Sequence, residues 1–195
     1  MRIKYTLLKL SLTSVLGAAL LAGACSEQST QPELLAPSEA GYSQGGNKDV
    51  QRVQLTVAAP MYVTAEIDRK GGLLQAEHYF LSIPEGAVKR PTQFTMEIGT
   101  DGVVTLTATE NRRGTTVDVG AAGFAKPLTV AMYYGYSQEL IDHPKFLEIA
   151  WLKEDGTLAT VPSKLYEQYH LVYGQLAHFS QYALASTRDY ESEEF

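Results

Sequence analysis

A histidine, a phenylalanine and a serine stand together near the end of the chain, as His178, Phe179 and Ser180 in "AHFSQYALAS". A serine hydroxyl near an imidazole is the raw material of nucleophilic catalysis. The same stretch also reads as an extended, apolar closing strand. Three other sets carry chemical potential. Cys25 is the single cysteine of the chain. Tyr133, Tyr134 and Tyr136 in "MYYGY", with Trp151, supply flat rings of the kind that stack on sugars. The histidines are His78, His143, His170 and His178.

The histidines do not suggest a metal site. None belongs to an H-x-x-x-H pair, and one cysteine cannot complete a thiolate set. A two-residue turn at Gly174-Gln175 would pair Val172 with Ala177 and His170 with Phe179. His178 would then face Leu171, and the two imidazoles would not converge. No P-loop, dinucleotide fingerprint or G-x-S-x-G elbow is present. No cofactor and no metal are expected.

Cys25 ends a different pattern. Arg2, Lys4 and Lys9 precede the apolar run "LSLTSVLGAALLA" (10–22), which is too short to span a bilayer comfortably. Leu21-Ala22-Gly23-Ala24-Cys25 resembles the lipobox of bacterial lipoproteins, with the leucine one place further upstream than usual. The resemblance implies cleavage before Cys25, acylation of that residue and a membrane anchor. Ser26, rather than an aspartate, implies the outer membrane. Each buried methylene of an acyl chain contributes ~0.8 kcal/mol to anchoring. Residues 1–24 hold three cations and no acid, so their removal shifts the net charge from −6 to −9. An acidic surface disfavours nucleic acid and anionic lipid as electrostatic partners.

The elements that would position these residues are strands. Residues 25–49, rich in Ser, Gln, Pro, Glu and Gly, read as a flexible linker. Residues 187–195 read as an acidic tail. Between them, residues 50–186 suit one all-β domain, a single antiparallel β-sandwich. Strands are expected over "VQLTVAA", "MYVTAEI", "HYFLSI", "TQFTMEI", "VVTLTAT", "PLTVAMYY", "KFLEIAWL", "TLATV", "KLYEQYHLVY" and "QLAHFSQYAL". Asp101-Gly102 and Asp155-Gly156 are hairpin signals. One short helical turn is expected over residues 137–143, ended by Pro144.

Three segments carry a family resemblance. "GGLLQAEHYFLSIPEGAV" (71–88) resembles the opening of ZU-5-type domains, the module shared by zonula occludens proteins, netrin receptors and ankyrins. Gly71 and Gly72 would take positive φ, Pro84 would stop a strand, and Gly86 would let the chain reverse. "GAAGFAKPLTVAMYY" (120–134) is similar to the family's Gly-x-x-Phe-x-Lys/Arg-Pro strand, with Phe124 as a core anchor. "LAHFSQYAL" resembles the closing His-Phe-Ser-x-Tyr strand. The resemblance implies a sandwich that binds or props other molecules. It also implies an alternative, because some relatives cleave themselves between Phe and Ser. Ser180 would attack the Phe179 carbonyl, with His178 or His170 as base, in an N→O acyl shift. A third reading, an envelope glycan-binding module, rests on the tyrosines and Trp151.

Overall fold

A computed structural model describes residues 50–187. Residues 1–49, on which the expected signal segment, the expected lipidation at Cys25 and the expected linker fall, and residues 188–195 of the expected tail lie outside the described residues. The described chain forms β1 (Gln51–Arg52), β2 (Met61–Ile67), β3 (Gly72–Ala76), β4 (Tyr79–Ile83), β5 (Thr92–Ile98), β6 (Val104–Arg112), β7 (Thr115–Asp118) and β8 (Leu128–Tyr133). A short helix, α1 (Gln138–Asp142), precedes β9 (Leu147–Leu152), β10 (Leu158–Val161), β11 (Ser163–Tyr166), β12 (Leu171–Leu176) and β13 (Gln181–Ser186). Two antiparallel sheets result, in a sandwich-like all-β fold. One runs β10-β9-β13-β6-β5-β2, with β1 added to β13 and β7 added to β6. The other runs β11-β12-β8-β4-β3.

Alternation builds the core. In β5, Thr92, Phe94, Met96 and Ile98 turn inward while Gln93 and Glu97 face out. β4 does the same with Tyr79, Leu81 and Ile83. Both expected hairpins form: β5 pairs with β6 around Gly102 (φ 74°), and β9 with β10 around Gly156 (φ 82°). α1 forms where expected, with the Ser137 hydroxyl accepting from the Leu140 N–H at 3.4 Å.

Several expectations need correction. Gly174-Gln175 is not a turn. Both residues lie inside β12, and a Cβ on Gly174 would meet Ile149 Cδ1 at 2.9 Å. That glycine serves the close approach of the two sheets. β12 and β13 therefore belong to different sheets, and the expected pairings of Val172 with Ala177 and His170 with Phe179 do not occur. The long strand expected over residues 164–173 is broken by a 3₁₀ turn, Glu167–Tyr169, and by His170 in the left-handed region (φ 53°). "VQLTVAA" forms no strand. Val53 and Val57 instead donate singly to the Leu184 and Thr100 carbonyls. Gly71 takes positive φ (78°), but Gly72 does not; its place is set by Ile67, whose Cδ1 would lie 3.0 Å from an added Cβ. β7 was not expected, and it pairs with β6 across a turn at Arg113 (φ 53°) and Gly114 (φ 85°).

Candidate functional site

The closing strand begins only at Gln181, so His178-Phe179-Ser180 is the crossover from β12 in one sheet to β13 in the other. The crossover fills a gap along β6. β13 pairs with β6 only at Gln181–Thr105 and Tyr182–Val104, and β7 takes over from Thr109 onward. Between these, the Leu106 N–H donates to the Ser180 carbonyl at 3.0 Å, and Val119 and Gly120 donate to the Ala108 carbonyl. The Phe179 N–H completes the junction by donating to Gly120 O at 2.9 Å. Every one of these backbone groups would be costly to bury unpaired.

The side chains complete the same joint. Phe179 is buried, edge-on to Phe124 (centroids 4.7 Å apart) and to Phe94 (5.7 Å). Phe124, half-buried, also stacks on Phe94 at 5.9 Å. The Ser180 hydroxyl accepts from the Trp151 indole Nε1 at 2.9 Å. His178 lies edge-on to Trp151 at 4.6 Å, and its carbonyl accepts from the Tyr182 hydroxyl at 2.7 Å.

For an N→O acyl shift, a base must reach the Ser180 hydroxyl. The hydroxyl is instead held by an indole N–H, which donates and has no lone pair to take a proton. The His178 Nδ1 faces the Phe179 carbonyl oxygen at 3.5 Å, where a donor polarises the carbonyl without deprotonating the serine. His170 sits at the other end of β12, against Tyr133 and Tyr134. Among the described residues the left-handed non-glycine positions are Glu77, Arg113 and His170, none of them in the triplet.

The aromatic residues do not form one platform. Tyr134 is fully buried, and Trp151 lies in the opposite sheet beside His178. Tyr133 and Tyr136 meet at 83°, with His78 4.4 Å from Tyr133. The Tyr136 hydroxyl donates to Glu77 at 2.9 Å; burial first, and then this bond, push its pKa up to about 12. The cluster ties the β3–β4 turn to the segment after β8.

A concave surface lies on the outer side of Phe124. This groove of about 620 Å³ has Phe124, Val119 and Val88 in its apolar floor and Lys89, Arg90 and Arg112 among its lining. Glu110, buried at its base, accepts from Arg112 Nε at 2.9 Å and from Thr92 Oγ1 at 3.5 Å. The sequence reading missed this site. Its signal was two adjacent cation pairs, Lys89-Arg90 and Arg112-Arg113, in an acidic chain.

No protein-family model matches the chain, and no curated protein matches it in sequence.

Proposed function

We propose that this chain is a lipid-anchored cell-envelope protein whose folded part is a ZU-5-like sandwich that binds or props another molecule without catalysis. The observation that carries the non-catalytic reading is the joint at residues 178–180. Phe179 packs into the aromatic core, the Ser180 hydroxyl accepts from Trp151, and the backbone on either side pairs with Leu106 and Gly120. Residues used in this way hold two sheets together. The lipobox-like run ending at Cys25 supports the anchor, and Ser26 supports the outer membrane.

Two measurements test the reading. Cys25→Ser should move the protein from the membrane fraction to the soluble fraction, and continued membrane association would count against the anchor. Denaturing intact-mass analysis should find the peptide bond at 179–180 uncut, whereas self-processing predicts a fragment beginning at Ser180. The glycan-binding alternative predicts retention on immobilised polysaccharide that is lost in Tyr136→Ala.

A further inference from the structure

We infer that the groove beside Phe124 is a docking site for an acidic, partly apolar segment of a partner protein. The inference deepens the binding reading above and rests on it.

Charge placement is the first argument. Residues 50–187 contain eleven Lys and Arg and fourteen Asp and Glu. The segments 68–71, 84–91 and 110–127, Glu110 of the groove included, carry seven of those cations and four of those anions. The registers bring these segments to one end: Ile67 pairs with Thr92, Gln93 with Thr109, Gly72 with Ile83 and Ser82 with Thr129. A basic concavity in an otherwise acidic body focuses its field on a short anionic ligand.

The local chemistry is the second argument. Glu110 holds Arg112 through Nε, which leaves the two Nη groups of the guanidinium fork for an incoming carboxylate. Lys89 and Arg90 are exposed, and neither takes part in an ion pair among the described residues. The apolar floor at Phe124, Val119 and Val88 accepts an uncharged side chain between the acids. A volume of about 620 Å³ suits a few peptide residues and not a duplex.

The course of the chain is the third. Gln51 pairs with Ser186, and Arg52 bridges to Asp101 in the β5–β6 turn, so both ends of the domain leave opposite the groove. Whatever attaches through residue 50 therefore joins the domain at the end opposite the groove. A flat anionic bilayer does not enter a concave floor, which favours a peptide over a membrane.

The test uses the full chain in detergent micelles and a fluorescein-labelled peptide of glutamates around one central leucine. Fluorescence anisotropy should show binding at low salt that weakens as salt rises. The lysine counterpart of the peptide should not bind. Lys89→Glu with Arg90→Glu should weaken binding about tenfold or more. Lys145→Glu, beyond the far end of α1, should leave it unchanged. All variants should melt cooperatively, within a few degrees of the parent. Absence of binding at low salt, or equal binding by the double variant, overturns the inference. So does displacement of the peptide by phosphatidylglycerol vesicles or by single-stranded DNA at lower concentration than by unlabelled peptide. Failure of peptide binding alongside Cys25-dependent membrane attachment removes the groove and leaves the anchored domain standing.

Discussion

At the scale of the residue, the Ser180 hydroxyl accepts from Trp151 and sits beside a phenylalanine that cannot leave the core. Ser180→Ala should cost about 1 kcal/mol, the worth of one partly buried hydrogen bond, and should shift Trp151 fluorescence. Phe179→Ala should cost about 3–5 kcal/mol in a denaturant titration, because two aromatic neighbours lose their partner. Gly120 reports on the same joint: an added Cβ would meet Phe179 Cβ at 2.9 Å and the Ala108 nitrogen at 3.2 Å. Gly120→Ala should therefore destabilise by about 1–3 kcal/mol through overpacking. A Gly120→Ala protein as stable as the parent would show that the crossover does not pack as described.

At the scale of the element, local signals succeeded where turn chemistry was local. Gly102 and Gly156, each following an aspartate, take the left-handed turn position that nearly any fold would use for a hairpin. Gly174-Gln175 has the same look, yet its glycine answers to Ile149 in the other sheet, a contact far away in sequence. The break at His170 was similarly hidden, since no glycine or proline marks it. The triplet was legible as part of the chain's closure but not as a crossover, because which sheet β13 joins depends on its pairing with β9 and β6. Glycines also separate local from tertiary demands. Gly114 has positive φ and open space, so Gly114→Ala should cost about 1 kcal/mol. Gly71 has positive φ and an added Cβ there would clash with the Ile83 carbonyl and Pro84. Gly71→Ala should cost markedly more, and equal melting shifts for the two variants would contradict the close approach of Gly71 to Ile83 and Pro84.

At the scale of the whole molecule, the sandwich is electrically polarised, with cations gathered at the groove end and the paired residues Gln51 and Ser186 at the other. Arg52 and Asp101 fasten the terminal end. The Arg52 hydrogen bond holds the Asp101 carboxyl below the ordinary carboxylate range. A lowered folded-state value means that this stability is fully present above the ordinary carboxylate pKa. It is lost as pH falls through the folded value. Asp101 is half-exposed, so solvent limits the gain to about 0.2–1 kcal/mol. Arg52→Met should thus melt below the parent at neutral pH, and the gap should close in strong acid. A gap that persists there would assign the loss to packing instead. Composition announced the acidic surface, but only the fold could gather scattered cations from four loops into one concave site.

In the function proposed, His178-Phe179-Ser180 joins two sheets and does not cut its own backbone. Denaturing intact-mass spectrometry of the purified full chain, alongside Ser180→Ala, tests it most directly. No species broken between Phe179 and Ser180 is expected in either protein, with the variant merely less stable. A fragment beginning at Ser180 in the parent, absent from Ser180→Ala, would contradict it.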